Sequence, residues 1–347
     1  MRNILMLIFT GMFAVILMAC GNGESDEASG DVENDTNTEE ADPINLKLGT
    51  IRTEDDPTTQ AAMKFADIVN EKTDGQVNIE VFPNSQIGDV IDMFSGMQSG
   101  TVDMVYEGIS SYSWLDGAEV FNIISLPFYW EDYEQMTHVL NSEEFETYFE
   151  EAAQNTGVRV INAIGDTESR QLTANRAVET AEDFKGLKIR TAESEIVQKS
   201  MAELGANPVV VPLSDLYMSL QQGIVDAQEN GFITVENSSF HEVQDYLIQT
   251  DYIRDVKSWY ISDDVWNQLS DNQKDIMYEA STEAGELQTE LANEVIDESL
   301  EFLKGEMEYI EPDLDSIRDA LKDLAEEFDG NLWPEGLYDE VEGIRNN

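Results

Sequence analysis

The sequence predicts an α/β protein of two doubly wound lobes of similar build, with a ligand cleft between the lobes and a long helix bridging both. Three observations lead there. Strand-like and helix-like segments alternate, a short string recurs at matching places in two such alternations, and a proline-free helical stripe near the C-terminus is longer than a single lobe is wide.

Ile44, Leu46 and Leu48 alternate with Asn45 and Lys47, the period of a half-buried strand. Asp55, Asp56 and Pro57 open a helix whose apolar residues Ala61, Phe65, Ile68 and Val69 fall at helical spacing, and Gly75 closes it. Residues 77–82 read as a second strand, 88–99 as a helix stopped by Gly100, and 102–106 as a third strand. Strands alternating with helices of this length argue for a parallel sheet.

The same programme follows in residues 187–189 (strand), 193–204 (helix), 208–211 (strand), 213–222 (helix) and 225 onward (strand). Two strings recur in order. Ile51-Arg52-Thr53 matches Ile189-Arg190-Thr191, and Gln98-Ser99-Gly100-Thr101-Val102-Asp103 matches Gln221-Gln222-Gly223-Ile224-Val225-Asp226, both of the form Q-x-G-x-V-D. Recurrence of both around one element pattern indicates two lobes built alike.

From 270 to 307 there is no proline, and Ile276, Ala280, Ala284, Leu287, Leu291, Val295 and Phe302 form a helical stripe. Such a helix is roughly 55 Å long, against ~30 Å for a small domain, so it must run across both lobes. Two shorter helices meeting at Gly285 are the alternative, an interior glycine costing only ~1 kcal/mol.

The N-terminus supplies the compartment. Arg2, the apolar run from Ile4 to Leu17, and Leu17-Met18-Ala19-Cys20 have the form of a secretory signal ending in a lipoprotein cleavage site. The run is shorter than the ~20 residues of a membrane span. Cys20 is the only cysteine, so a disulfide framework is excluded and a lipid attachment point is expected. Residues 21–43 are acidic and polar and cannot bury enough surface to fold, so they read as a tether. The expected organisation is signal peptide 1–19, lipid-anchored acidic tether 20–43, lobe I 44–167 with part of 254–270, lobe II 168–253, bridging helix 270–307 and a C-terminal helical segment 308–347. The protein is expected to be a monomer on the extracellular face of the cell membrane, the periplasmic side where an outer membrane exists.

Acidic residues number 72 against 19 basic ones, a net charge of -53. A phosphate backbone would be repelled, which excludes nucleic acid as a partner. No nucleophile elbow, phosphate-cradling loop, zinc-binding His pair or dinucleotide fingerprint is present, so no catalytic residue, metal or cofactor is expected. His138 and His241 stand alone and read as structural.

Cations are rare, so their positions carry information. Arg52 and Arg190 fall at the carboxyl ends of strands that feed helices, where open α/β sheets hold ligands. A guanidinium there can fork onto a carboxylate with two hydrogen bonds. Four residues beyond each repeated aspartate lie Glu107 and Asn230, at corresponding strand ends facing the cleft. Arg170 falls at the crossing from the first lobe to the second.

At these residues the sequence resembles the extracytoplasmic binding proteins of tripartite ATP-independent periplasmic (TRAP) transporters, from about Ile44 to the C-terminal helices. The likeness is carried by Ser169-Arg170-Gln171-Leu172-Thr173-Ala174-Asn175-Arg176, Phe184-Lys185-Gly186-Leu187-Lys188-Ile189-Arg190, Leu204-Gly205-Ala206-Asn207-Pro208 and the run from Leu220 to Asn230. It implies that the position of Arg190 grips a ligand carboxylate, that Arg170 and Asn230 assist, and that the small organic acid is passed to membrane subunits of the transporter. Two departures stand out. The family's R-V-P is here Arg190-Thr191-Ala192 and its E-N-P is Glu229-Asn230-Gly231, so two loops beside the cleft are expected to be looser. A bulky aromatic is replaced by Leu213.

Glu107, which can accept from ligand hydroxyls, places a hexuronate-like sugar acid ahead of a C4-dicarboxylate, although Arg52 and Arg170 could receive a second carboxylate. A zwitterionic solute, a binding protein of an ATP-driven importer and a secreted hydrolase are the remaining alternatives. The charge carries its own expectation. Self-repulsion weakens a compact state and salt screens it, so the thermal unfolding midpoint should rise with sodium chloride up to about 1 M, where the Debye length is ~3 Å.

Overall fold

The computed structural model describes residues 42–346. The expected signal peptide, Cys20 and the tether up to residue 41 lie outside them. The first half runs β1 (Ile44–Gly49), α1 (Pro57–Lys72), β2 (Val77–Phe82), α2 (Val90–Ser99) and β3 (Met104–Gly108). The start of α1 is fixed by Asp56, whose carboxylate accepts the Thr58 N–H at 2.8 Å, with Pro57 in the first turn. Short 3-10 turns then lead through α3 (Tyr133–Leu140) and α4 (Glu143–Thr156) to β4 (Val158–Asp166). The second half runs β5 (Gln171–Ala174), β6 (Lys188–Thr191), α5 (Glu195–Glu203), β7 (Asn207–Val210), α6 (Leu213–Gln221), β8 (Ala227–Asn230), α7 (Phe232–Asn237) and β9 (Tyr246–Ile248). The chain returns as β10 (Val256–Ser262) and α8 (Asp263–Trp266), and ends in α9 (Asp271–Glu306), β11 (Glu308–Ile310), α10 (Leu314–Leu321), α11 (Leu324–Phe328) and α12 (Leu337–Arg345). The segment after the long helix therefore begins with a strand rather than being wholly helical.

Two sheets result, with strand orders β2-β1-β3-β10-β4 and β11-β9-β5-β8-β6-β7. They are mixed, not parallel as the alternation suggested. β1 pairs in parallel with β2 and β3, and β6 with β7 and β8, but β10 is antiparallel to β3 and β5 is antiparallel to β8. The reason is the crossing. Each of these strands enters its sheet from the other lobe, through residues 167–170 or 249–255, and so arrives from the end at which the parallel strands finish.

The Q-x-G-x-V-D repeat has one physical job in both lobes. Gly100 and Gly223 take the left-handed conformation, φ 76° and 67°, and turn the chain out of α2 and α6. Val102 and Val225 enter the core. Asp103 and Asp226 then tie to the neighbouring strand: Asp103 Oδ2 accepts the Lys47 N–H at 2.8 Å, and Asp226 Oδ2 accepts that of Lys188 at 3.3 Å.

The Ile-Arg-Thr match is not a structural equivalence. Leu48 pairs with Met104 and Gly49 with Val105, while Ile189 pairs with Ala227 and Arg190 with Gln228. Counted from the repeated aspartates, Arg190 therefore corresponds to Gly49, and Arg52 lies three residues further on, in the loop before α1. No side chain fits at 49, where a Cβ would come within 2.3 Å of Met93 Sδ.

The long helix is continuous. Ser270 caps it through the Gln273 N–H, and it runs 36 residues without a break at Gly285. Its buried face is Met277, Ala280, Ala284, Gly285, Gln288, Ala292 and Leu303, rotated from the expected stripe, while Phe302 is exposed. Close approach explains the shift: small residues let the helix lie directly on β4, and the larger apolar side chains flank the contact. Met277, Ala280 and Ala284 join the core of the first sheet with Phe65 and Trp259, and Leu303 joins that of the second with Leu216 and Phe240. Gly285 is thus a packing residue, since a Cβ there would meet Ile164 Cγ2 at 2.5 Å and its carbonyl oxygen at 2.7 Å. Gly285→Ala, which adds ~1 kcal/mol of helix propensity, should nevertheless destabilise the fold by about 1–3 kcal/mol through overpacking; urea unfolding measures the sign.

Candidate functional site

A cavity of about 320 Å³ lies between the sheets, lined by residues of both and by the two crossing segments. The carboxyl ends of the parallel strands deliver Glu107, Arg190, Glu229 and Asn230 to it. The first crossing supplies Glu168 and Arg170, and the second supplies Asp255, with Lys257 just beyond on β10. The crossings are held together: the Arg170 N–H donates to the Ile253 carbonyl at 2.9 Å, and Thr167 Oγ1 to the Asp255 carbonyl at 2.9 Å. α9 closes the cavity with Gln288 and Ala292.

Four of the chain's 19 basic residues line this space, and three of them are matched internally. Arg170 forks onto the Glu229 carboxylate, with Nε to Oε2 and Nη2 to Oε1 at 3.0 Å, and Nη2 also reaches the Glu229 carbonyl at 2.6 Å and Asn230 Oδ1 at 3.1 Å. Burial opposes its charge, but Glu229 more than compensates and raises its pKa. Lys257 Nζ donates to Glu107 Oε1 at 2.6 Å, and Arg52 Nη2 approaches the same oxygen at 3.3 Å. Burial alone would raise the Glu107 pKa, yet Lys257 and Arg52 bring it down to about 2.

Arg190 differs. It is 4% exposed, its Nε donates to the Val211 carbonyl at 2.7 Å, and its Nη atoms meet no acceptor among the described residues. Burial, together with Arg170 and Arg52 nearby, lowers its pKa to about 10, with Glu229 opposing. It remains cationic at neutral pH and lacks a counterion.

The structure thus brings all five sequence-derived residues, Arg190, Arg170, Asn230, Glu107 and Arg52, to one cavity. Some of their expected tasks change. Glu107 has one oxygen engaged by Lys257, Arg52 and the Gly108 N–H at 3.1 Å, and only Oε2 is unpartnered. Arg52 is not a surface ion pair with Glu54 or Asp55; its Nη1 crosses the cleft to Thr234 Oγ1 at 2.7 Å. A second cross-cleft bond runs from Ser214 Oγ to Asp89 Oδ2 at 2.8 Å. The Asn230 amide is occupied on both sides, by Arg170 and by Gln228 Oε1 at 2.6 Å. Lys257, Glu168 and Asp255 were not singled out from the sequence. Lys257 was the detectable one, as a rare cation inside an apolar strand. At Gly231 the Glu168 side chain packs where a Cβ would sit, within 2.2 Å.

Comparison with known proteins decides the family. The profile of DctP, bacterial extracellular solute-binding protein family 7, matches residues 48–331. The chain belongs to this family. A solute-binding protein of Roseobacter denitrificans is 31% identical over 82% of this chain and 86% of its own. Its crystal structure, described as a TRAP periplasmic solute-binding protein with bound L-galactonate, aligns at a TM-score of 0.80, covering 87% of this chain and 99% of that one. The sialic acid-binding periplasmic protein of Vibrio cholerae is 29% identical over 83% of this chain and 89% of its own. The 2,3-diketo-L-gulonate-binding periplasmic protein of Escherichia coli is 29% identical over 80% and 84%. Family 7 receptors are extracytoplasmic, bind small organic acids and serve TRAP membrane subunits. Among the described residues, no helix of this family 7 protein is long and apolar enough to cross a membrane.

The matched cations are expected to be structural as well as functional. Lys257→Met would leave Glu107 dependent on Arg52 alone, and breaking a buried pair costs about 3–5 kcal/mol. Urea unfolding should show a loss near the lower end of that range, and adding Glu107→Gln should recover most of it.

Proposed function

We propose that this protein is a non-enzymatic receptor that captures a sugar acid in the cavity between its lobes and hands it to a TRAP-type transporter, held at the membrane through a lipid on Cys20. The buried, uncompensated guanidinium of Arg190 carries the reading. An unpaired charge at this depth costs several kcal/mol, and a carboxylate accepting two parallel N–H bonds is the counterion that best offsets it.

Two further features favour a polyhydroxylated monoacid over a C4-dicarboxylate. Arg170 and Arg52 are already matched by Glu229 and Glu107, so a second carboxylate would find no comparably free cation among the described residues. Five cavity-lining residues also carry a buried polar atom without a partner: donors on Arg52 (Nε) and Trp114 (Nε1), and oxygens on Glu107 (Oε2), Glu168 (Oε2) and Gln288 (Oε1). Hydroxyl groups, which donate and accept, suit such a mixed wall. The volume falls at the small end of the ~300–1,000 Å³ typical of ligand sites. A relative described with bound L-galactonate and relatives named for sialic acid and 2,3-diketo-L-gulonate support a sugar acid, whereas two relatives at 28% identity are named for C4-dicarboxylates.

Titration calorimetry with L-galactonate, D-galacturonate and succinate tests this, and tighter binding of succinate than of either sugar acid would overturn the choice of ligand. Arg190→Ala should weaken binding of the preferred acid by about 2–5 kcal/mol, while the unfolding midpoint of the ligand-free protein stays at or rises above that of the wild type, because an uncompensated buried charge is removed. Arg190→Lys should also fail substantially, because an ammonium cannot present the planar fork. A loss below tenfold for Arg190→Ala would remove this residue from the centre of the site.

A further inference from the structure

Glu168 is a cavity carboxyl without a cation. It stands in the crossing between β4 and β5, and its side chain lies over Gly231, which leaves room for it by lacking a Cβ. Oε1 accepts the Ile233 N–H at 2.7 Å, and Oε2 is buried with no partner. No lysine or arginine forms an ion pair with it among the described residues, unlike Glu107 and Glu229 in the same wall. The charged groups that face it are Asp56 and Arg52, both from the segment between β1 and α1. Arg52 is engaged by Glu107 and Thr234, and Asp56 repels a second negative charge. From α7 it meets only backbone N–H groups.

A carboxylate in this position is supported only by backbone N–H groups at the start of α7 and by Arg52, against a larger burial penalty and the repulsion of Asp56, whereas a neutral carboxyl has its carbonyl oxygen already satisfied by Ile233. We propose that Glu168 serves the cavity as a neutral carboxylic acid whose Oε2 hydroxyl donates a hydrogen bond to a hydroxyl oxygen of the ligand, selecting polyhydroxylated acids over zwitterions. The inference rests on the sugar-acid reading of the cavity. A hydroxyl oxygen can accept this bond. An ammonium cannot, and could be held only after Glu168 had ionised against burial and Asp56. In agreement with the geometry, burial is the largest influence on the Glu168 carboxyl and pushes its pKa up to about 8, with the two backbone N–H groups opposing.

The sign of the pH effect follows. The binding form is the protonated one, so affinity is at its full value below the raised pKa, falls as pH rises through about 8, and levels off once Glu168 is ionised, at about the tenfold loss expected for one lost hydrogen bond. Other shifted cavity groups are expected in the background, namely Lys257, Asp255 and Arg190, and a Glu168 variant isolates the Glu168 contribution from them.

The experiment is calorimetric titration of L-galactonate into wild type, Glu168→Gln and Glu168→Ala between pH 6.5 and 9.5. Glu168→Ala should lose about tenfold at pH 7, in line with one lost hydrogen bond to ligand. Glu168→Gln, which keeps a donor but cannot titrate, should lose less and should lack the fall above pH 8. Equal pH profiles for wild type and Glu168→Gln, equal losses for the two variants, or wild-type affinity in Glu168→Ala would each overturn the proposal. Should no sugar acid bind wild type, the sugar-acid reading fails by itself. The protonation claim is then decided on the ligand-free protein by the infrared difference between wild type and Glu168→Gln. A protonated-carboxyl band present at pH 6.5 and lost through pH 8 supports it, and its absence at pH 6.5 overturns it.

Discussion

A guanidinium buried without a counterion is the constraint around which the rest of this receptor is arranged. Arg190 sits at the carboxyl end of β6, 4% exposed, anchored by one bond from Nε to the Val211 carbonyl. Such a charge survives only if the residues around it cannot neutralise it and the fold can tolerate its cost. Both conditions are met by allocation. Glu229 is committed to Arg170, and Glu107 to Lys257 and Arg52, so the acids nearest the cavity floor are already spent. In a chain with 72 acidic residues, keeping one cation free is the harder task.

The allocation depends on the crossing segments. Arg170 and Asp255 come from the two links between the sheets, and Lys257 from the strand that the second link feeds, so the groups that balance the cavity are attached to the parts any hinge motion must use. Hydrogen bonds between the links, and Arg52 to Thr234 and Ser214 to Asp89 across the cleft, tie the two walls together in this arrangement. The long helix adds a third connection. It packs on β4 through alanines and Gly285, so its first half moves with the first sheet while Leu303 is fixed in the core of the second. Few segments join the two sheets, and those segments carry cavity-lining residues.

Much of this was legible in the sequence because it follows from local chemistry. A glycine that ends a helix, a valine that enters the core and an aspartate that ties to the next strand must occur at fixed spacing, so Q-x-G-x-V-D revealed two lobes and, four residues on, both Glu107 and Asn230. What failed was whatever depends on register or on distant approach. Ile-Arg-Thr recurred without equivalence, because Gly49, crowded by Met93, holds the place that Arg190 holds in the other lobe. The antiparallel strands were invisible, since periodicity does not encode the end from which a strand enters its sheet. The long helix is continuous as expected, but Gly285 read only as the place where it could break, whereas it is a contact. Local propensity and tertiary packing assign opposite meanings to the same residue there, and only the facing strand decides between them.

The departures from the family pattern show the same logic from the other side. Gly231, where relatives usually carry proline, suggested a looser loop when considered alone. The backbone at 231 is extended, with φ -72° and ψ 165°, a conformation proline itself can adopt. What proline could not provide is space: its ring carbons would occupy the volume now filled by the Glu168 side chain. Gly231 and Glu168 therefore depend on one another here, the glycine leaving the space that the carboxyl fills in the cavity wall. That carboxyl has no cationic partner, unlike Glu107 and Glu229 in the same cavity. A residue of a crossing segment and the residue that opens α7 thus meet in the cavity wall, so a substitution at either changes that wall without a change at Arg190.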